Sequence, residues 1–504
     1  MGKQQGKTGH KSVLIQIAGD HNRVSVGQLA ASSLDLIPPK PRGAVSIAAD
    51  NIRWLWAENR IHPFVGRDDL LNRLTDWLKE EDTPLSVRVI TGRGGSGKTR
   101  LALELCDRAT QAGFQAGFAE GEAFRESVAL GEQRGWRWKK PTLVVLDYAA
   151  SLVDPLHTWF LGLIQQEMKH PLRILLLERH GQPGAGWWQS LFAPPGSDRE
   201  RLTDGLQLVE PIELPPLSLS ERRSLFAEAL QRAGSAETIP PLGENLDFDR
   251  DMQHGEEWGD PLFLLMAGQW AAANGVNAVL SLTRPDLAMR LAQREGQWIT
   301  GSKTINEEDD EQTLLRHLAA LVTLRGGLDR PQLESLIPAE IEAMACGTTL
   351  SPRKLAARLE SALGTDQGKV ISPIKPDLIG GAFLIQYLGE GQEEKSTSAV
   401  LRAHATAPQA VLPRVVRAGV DFAYATGRDF ASLAAEREST AEHLLQYTKA
   451  PVFWLEALID QAQNDLGQLL DFQRELPKFS LGLEPLIEKV DAAFEAFHRR
   501  TGTP

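Results

Sequence analysis

Residues 87–99 read Val87-Arg88-Val89-Ile90-Thr91-Gly92-Arg93-Gly94-Gly95-Ser96-Gly97-Lys98-Thr99. The apolar, β-branched first part predicts a buried strand, and a helical run that begins at Arg100 follows the pattern G-x-x-x-x-G-K-T. Glycines in such a pattern let successive backbone N–H groups surround phosphate oxygens, at a helix start whose dipole favours an anion. The stretch therefore predicts a phosphate-binding loop between a strand and a helix.

The side chains of this loop predict what it binds. Lys98 is expected to reach the β- and γ-phosphates of a nucleotide, and the Thr99 hydroxyl is expected to hold Mg²⁺. The predicted nucleotide-binding residues of the stretch are Gly92, Gly94, Gly95, Ser96, Gly97, Lys98, Thr99 and Arg100. The predicted cofactors are ATP or ADP together with Mg²⁺.

A second apolar run supplies the acidic partner that such a loop needs. Asp147 follows Leu143-Val144-Val145-Leu146 and is predicted to complete the Mg²⁺ site with Thr99. Many hydrolytic P-loop enzymes carry a Glu close to this position, whereas Tyr148 follows here. The missing acid predicts slow or conditional hydrolysis, so that the site would act mainly as a switch.

A third apolar run, residues 173–177, ends in Glu178-Arg179-His180. An arginine at the tip of such a strand can point at the γ-phosphate and report its presence, although Arg179 taken alone is equally compatible with a surface position. The predicted catalytic residues are accordingly Lys98, Asp147 and Arg179.

The composition limits the classes of function. The chain has 504 residues, 42% of them hydrophobic and 24% charged, which is ordinary for a soluble protein of two to four domains. A net charge of −12 argues against general binding to nucleic acid or to acidic membranes. Two cysteines exclude a disulfide framework, and no apolar run approaches the ~20 residues that span a bilayer. We therefore expect a cytoplasmic protein that does not insert into membranes.

Further motifs occur in a consistent order around the phosphate loop. Phe64-Val65-Gly66-Arg67-Asp68 precedes it, Gly259-Asp260-Pro261-Leu262 follows the three apolar runs, and Lys375-Pro376-Asp377-Leu378 comes later. Together these motifs resemble those of the STAND ATPases, the NB-ARC- and NACHT-like signalling switches, over about residues 60–390. The resemblance implies that Val65 and Arg67 lie near adenine and ribose, and that Pro261 packs against the base. Pro376 replaces the family's histidine and cannot donate the hydrogen bond to the β-phosphate of ADP.

The predicted fold class is an α/β P-loop NTPase with an AAA+/STAND-like parallel sheet, followed by helical, winged-helix-like and all-α modules. Candidate strands of the sheet cover residues 86–91, 115–119, 142–146, 172–177 and 206–210, and a short strand is expected at 369–371. The predicted domains are an N-terminal tail with a Pro-rich linker (1–50), the P-loop domain (51–213), a helical subdomain (214–305), a winged-helix-like subdomain (306–390) and a C-terminal helical region (391–504).

The N-terminal tail contains two β-prone runs around a Gly-Asp-His-Asn turn, within residues 12–27. This segment resembles RHIM-like amyloid signalling motifs, with one residue more than the usual spacing. The residues that carry the resemblance are Ile15, Gln16, Ile17, Gly19, Asn22 and Val24. The resemblance implies recruitment of a separate effector protein by templated cross-β stacking. The alternatives are a hairpin at the edge of the P-loop domain and an ordinary tail.

Taken together, these resemblances imply a STAND-type ATP/ADP switch. Such a protein would respond to an activating ligand that the sequence does not identify, form a nucleotide-dependent homo-oligomer and recruit its effector, in antiphage defence or regulated cell death. One alternative is an AAA+-type ATPase motor with steady turnover. The other is a nucleotide-binding scaffold or regulator without turnover.

Overall fold

A computed structural model describes the chain over most of its length, and the residues 12–27 lie outside the described part. The described residues are 34–43, 47–48, 51–80, 82–129, 139–181, 183, 186–192, 202, 204–280, 282–302, 309–366, 369–388, 393–428, 438–476 and 483–501.

The main sheet is almost entirely parallel. Its strands within the described residues are β1 (Leu36–Ile37), β2 (Leu85–Thr91), β3 (Gln115–Ala119), β4 (Thr142–Asp147), β5 (Leu172–Glu178) and β6 (Ile212–Glu213). They are arranged in the order β1-β3-β4-β5-β2-β6, and only β1 pairs antiparallel with its neighbour. Because parallel strands end along the same edge, β5 places its carboxyl end between those of β2 and β4.

Helices cover both faces of this sheet. They are α1 (Asp68–Leu78), α2 (Lys98–Gln111), α3 (Gly121–Ala129), α4 (Val153–Leu163) and α5 (Gly186–Phe192). Leu143 and Val145 of β4 belong to the core that contains α1 and α2, whereas Val144 and Leu146 belong to the core that contains α4 and α5. Successive strand residues point to opposite faces, and since both faces are buried, the strand reads as a continuous apolar run.

The structure confirms four of the five candidate strands of the sheet and corrects the fifth. The segment 206–210 is not a strand, because Leu206 ends a helical turn and Gln207 adopts a left-handed φ of 43°. This conformation turns the chain and cannot continue an extended strand. The edge strand β6 forms a few residues later, where Ile212 pairs with Ile90.

Helices follow the sheet along the chain. The next module contains α6 (Leu219–Arg232), α7 (Leu246–His254), α8 (Pro261–Asn274) and α9 (Arg284–Thr300). Helix α6 begins with a capping box, in which the Ser218 amide donates to Glu221 at 2.7 Å. Helix α8 begins with Pro261. Proline is favourable at the first helical position because an N–H group there would have no acceptor within the helix. These local signals determine where both helices start along the chain.

A small antiparallel sheet distinguishes the third module. The module contains α10 (Asp310–Leu324), β7 (Leu328–Asp329), α11 (Arg330–Met344), α12 (Pro352–Leu363), β8 (Thr365–Asp366), β9 (Val370–Ile371) and α13 (Asp377–Leu388). The strands are arranged in the order β7-β9-β8. The strand predicted at 369–371 is present as β9.

The remainder of the described chain is helical. It contains α14 (Glu393–Thr406), α15 (Pro408–Arg428), α16 (Glu438–Ala462), α17 (Leu466–Glu475) and α18 (Glu484–Thr501). One continuous apolar core joins these helices to the two preceding modules, and Trp454 of α16 is fully buried in it. No helix in the described part of the chain combines the length and the apolar character that crossing a bilayer needs.

One buried carboxylate ties three helices of the last two modules together. Glu340 of α11 accepts hydrogen bonds from His317 of α10 at 2.9 Å and from Arg402 of α14 at 2.6 Å. Burial by itself disfavours the charged form, but the bonds from His317 and Arg402 outweigh it and lower the pKa of Glu340 to about 2. A pKa below the unfolded value of about 4.3 means that ionised Glu340 stabilises the fold above that pH.

We therefore expect Glu340→Gln to lower the free energy of unfolding at pH 7, by on the order of 3 kcal/mol. The difference from the wild type should shrink as the pH falls from about 4.3 towards 2, because the wild-type carboxyl takes up a proton there. Urea unfolding at pH 7, 5 and 3.5 measures this, with the exposed Glu342→Gln on the same helix as control. A difference that stays constant across these pH values would contradict the prediction.

Candidate phosphate-binding site

The predicted phosphate loop connects β2 to α2. Strand β2 ends at Thr91, and α2 begins at Lys98. Within the loop, Gly95 and Gly97 have φ values of 86° and 95°, which residues with a Cβ rarely adopt. A Cβ at Gly97 would also lie only 2.8 Å from Nη1 of Arg67. The backbone conformation therefore favours glycine at both positions.

Lys98 lies at the base of the loop with 9% of its surface exposed. Its Nζ donates to the carbonyl oxygens of Gly92 and, at 3.1 Å, of Arg93. Burial, reinforced by the positive charge of Arg179, lowers the pKa of Lys98 to about 8. The Ser96 hydroxyl is also buried and has no hydrogen-bond partner within the described residues. These donors fit a polyphosphate, which would supply both negative charge and acceptors.

Thr99 and Asp147 meet across the end of the sheet. The Thr99 hydroxyl donates to Oδ2 of Asp147 at 3.0 Å. Burial raises the pKa of Asp147 to about 6, although Lys98 and the bond from Thr99 oppose the shift. No group of three or more His, Cys, Asp or Glu residues in the described chain forms a metal cluster. One hydroxyl and one carboxylate fit Mg²⁺, which commonly takes its other ligands from phosphates and water.

Glu178 is an acid at this site that the sequence analysis did not assign. It ends β5, next to the strand that carries Asp147, and is 6% exposed. Its carboxylate accepts from the backbone N–H groups of Ala150 at 2.9 Å and Arg179 at 2.6 Å. No acid directly follows Asp147 in sequence, whereas the parallel sheet supplies one from the neighbouring strand. The local signal for this acid is its place directly after the apolar run 173–177, next to Arg179.

Arg179 extends from the end of β5 to the loop. Its Nη2 lies 3.1 Å from the position that a Cβ on Gly94 would take. Its Nη1 donates to Oδ1 of Asp421, on α15, at 2.7 Å. Asp377, at the start of α13, lies 4.0 Å from the same guanidinium. Arg179 therefore connects the phosphate loop to the two C-terminal modules.

A second set of contacts surrounds Asp377. Its Oδ2 accepts from the Tyr148 hydroxyl at 2.5 Å and from Arg417 at 2.9 Å. The guanidinium of Arg417 lies 3.7 Å from the centre of the Tyr148 ring. The positive charges of Arg417 and Arg179 and the bond from Tyr148 outweigh burial and hold the pKa of Asp377 well below its usual range. The ionised Asp377 side chain therefore connects α13 and α15 to Tyr148, the residue after Asp147.

The helical module and Arg67 also contact the loop. The Leu262 amide donates to the Gly95 carbonyl at 3.2 Å, and Arg284 donates to the Gly94 carbonyl. Arg67 donates to the Ser96 carbonyl and, at 3.0 Å, to that of Pro215. Pro261 lies beside the loop, since its Cγ is 3.5 Å from the position of a Cβ on Gly97.

Two of the predicted nucleotide-binding residues are engaged elsewhere. Val65 is half-buried and packs against the core of the helical modules. The guanidinium of Arg100 pairs with Glu104 at 3.0 Å, one turn further along α2, and donates to the His62 carbonyl. Arg284, Arg417 and Asp421 are site residues that the sequence analysis missed, because no motif marks them.

Comparison with known proteins identifies no family for this chain. No protein-family model matches the chain, and no curated protein matches it. A similar solved structure is the Aeropyrum pernix ORC1 protein in complex with DNA, with 12% identity over 66% of this chain and 96% of that chain, at a TM-score of 0.32. Another is the replication initiator DnaA bound to AMPPCP and single-stranded DNA, with 11% identity over 86% of this chain and 97% of that chain, at a TM-score of 0.31.

The predicted fold class is confirmed: the protein has a mostly parallel α/β sheet, with a glycine-rich loop between β2 and α2, followed by helical modules. The prediction that the chain has no general nucleic-acid binding is contradicted, since both similar structures contain DNA. That prediction rested on the net charge of the whole chain, whereas nucleic-acid binding depends on the local charge of one surface. The narrower resemblance to STAND switches and the role of the N-terminal motif stay predictions.

Proposed function

We propose that the protein is an ATP/ADP-dependent conformational switch built on a P-loop ATPase domain. The observation that carries this proposal is that every module following the sheet contacts the phosphate loop or the ends of the adjacent strands. Leu262 and Arg284 reach the loop from the helical module, Asp377 reaches Tyr148 from the third module, and Asp421 reaches Arg179 from the C-terminal helices. A nucleotide bound at this junction would influence how all of these modules dock.

The chemistry of the site supports a magnesium nucleotide as the ligand. The backbone N–H groups of the loop and the Lys98 ammonium would bind phosphate oxygens, and Thr99 with Asp147 would hold Mg²⁺. Mg²⁺, when bound, would neutralise part of the phosphate charge. The adenosine would lie near Arg67 and Pro261, which the structure brings together beside Gly97.

Switching requires that ATP and ADP prefer different arrangements of the modules. A ligand shifts such an equilibrium only by its difference in affinity for the two arrangements, and about 5.5 kcal/mol takes a population from 1% to 99%. The extra phosphate of ATP adds negative charge next to Arg179, which in this structure pairs with carboxylates of two other modules. Competition for this arginine is a source of the required difference.

The test is the size of the purified protein in Mg²⁺ with ADP and with a slowly hydrolysed ATP analogue. We expect the ATP analogue to open the molecule and produce a larger species than ADP, measured by light scattering after size exclusion. Lys98→Ala should show the same size with both nucleotides. A wild-type protein that binds both nucleotides without any change in size or shape would contradict the proposal. Repeating the measurements with single-stranded DNA tests whether the protein binds DNA, which the similar structures contain.

A second candidate function, an AAA+-type ATPase with steady turnover, is favoured by the position of Glu178. A buried carboxylate beside Asp147 is suited to orient a water molecule towards the γ-phosphate. This function predicts that the wild type hydrolyses ATP steadily over many turnovers. Glu178→Gln should abolish the hydrolysis and leave the affinity for ADP unchanged. Hydrolysis that stops after about one turnover per molecule would support the switch instead.

We extend the switch proposal to the N-terminal tail on the basis of its sequence resemblance alone. Activated molecules that cluster would raise the local concentration of residues 12–27, and these could template the same structure on an effector, in antiphage defence or regulated cell death. A synthetic peptide of residues 12–27 should then form cross-β fibres. A peptide that stays monomeric at high concentration would exclude this role.

A further inference from the structure

Helix α15, in the C-terminal helical region, carries a carboxylate into the phosphate site. The side chain of Asp421 is 5% exposed. Its Oδ1 lies 2.7 Å from Nη1 of Arg179 and 3.7 Å from Nη2 of Arg284. These two arginines come from different modules, the end of β5 and the start of α9, and Asp421 lies between them.

Both guanidinium groups also line the phosphate loop. A Cβ placed on Gly94 would lie 3.1 Å from Nη2 of Arg179 and 3.3 Å from Nη2 of Arg284. Asp421 is close enough to Lys98 for its charge to favour the ammonium form of that side chain. Three cations therefore converge with the carboxylate of Asp421 at the side of the loop where Arg179 is found.

A phosphate group can neutralise these cations in place of Asp421. Arginine binds carboxylates and phosphates through the same planar set of N–H donors, so the two anions compete for it. A γ-phosphate placed between Lys98 and Arg179 would meet the negative charge of Asp421 in a buried position, where repulsion is only weakly screened. A diphosphate, which ends one phosphate earlier, would avoid this repulsion.

We propose that Asp421 makes the closed form of the protein selective for nucleoside diphosphates, because its carboxylate engages Arg179 and Arg284 where a third phosphate would need them. A triphosphate then binds well only when α15 moves away from the site. This inference rests on the proposed nucleotide site and names the residue that distinguishes its two ligands.

The neighbouring anion Asp377 does not duplicate this role. It is 4.0 Å from Arg179, and its oxygen is already bonded to Arg417 at 2.9 Å and to Tyr148 at 2.5 Å. Removing the charge of Asp421 therefore frees Arg179 and Arg284 for a phosphate while the contacts that anchor α13 remain. The isosteric change Asp421→Asn removes the charge with little change in volume.

The experiment compares the dissociation constants of fluorescent ADP and of a slowly hydrolysed fluorescent ATP analogue, in Mg²⁺, for the full-length protein. We expect the wild type to prefer ADP. Asp421→Asn should raise the affinity for the triphosphate about tenfold, with a change for ADP below about threefold. Asp421→Glu, which keeps the charge, should stay close to the wild type. The control is Asp460→Asn, an exposed residue that pairs with Lys489 away from the site.

An unchanged ratio of the two affinities in Asp421→Asn, or an equal change for both nucleotides, would overturn the inference. If Asp421→Asn does not fold, Arg284→Gln gives a second measurement. This change removes a group that would bind the third phosphate. The affinity for the triphosphate should therefore fall about tenfold, while the affinity for ADP should change little. An unaltered triphosphate affinity would refute the inference. A wild-type protein that binds neither nucleotide would instead refute the proposed function, so the two failures are distinguishable.

Discussion

Lys98→Ala is expected to weaken the binding of magnesium nucleotides on the order of 100-fold. The wild-type ammonium is buried at the base of the loop, where a phosphate oxygen would replace its present carbonyl partners. Alanine would leave that phosphate charge buried without its principal cation. Titration of a fluorescent ADP analogue measures the effect, and the rise in melting temperature on adding ADP should disappear.

Lys79→Ala is the matched control for this experiment, because Lys79 is exposed at the end of α1. It removes the same charge from the chain without touching the loop, so it should bind ADP as the wild type does. If Lys98→Ala folds and retains ADP affinity within a few-fold of the wild type, the nucleotide is not bound at this loop.

Arg173→Leu is expected to lower the free energy of unfolding by about 3 kcal/mol, because it removes a buried guanidinium that donates to three backbone carbonyls. Arg173 lies fully buried in β5, in the middle of the sheet. Its guanidinium donates to the carbonyls of Thr83 at 2.7 Å, of Trp77 at 3.1 Å and of Glu80. These carbonyls belong to the end of α1 and the turn that leads into β2, so Arg173 fixes the approach of the chain to the phosphate loop.

Urea unfolding without nucleotide measures this effect. Arg250→Leu serves as the control, since Arg250 is 63% exposed and forms surface ion pairs with Asp247 at 3.0 Å and Asp251 at 3.5 Å. Surface pairs of this kind contribute less than about 1 kcal/mol. A loss in Arg173→Leu no greater than in Arg250→Leu would contradict the assigned role.

The segments that form the phosphate site could be predicted where the signal is local. The strand and loop at 87–99 and the strand that precedes Asp147 each depend on consecutive residues, and each is found where the sequence placed it. The predicted strand at 206–210 failed because its apolar residues fitted a strand while the turn at Gln207 left no signal in the pattern. Apolar character alone does not determine backbone conformation.

The sequence by itself determined the phosphate loop, its lysine and threonine, and the carboxylate of Asp147, because glycine conformations, helix starts and buried strands are encoded by neighbouring residues. Only the tertiary structure decided which other groups reach that loop. Arg284 contacts a residue 190 positions away, and Asp421 contacts Arg179 across 242 positions. Such contacts depend on how separately folded modules dock. A single charged residue on a helix carries no local pattern that reveals its distant partner.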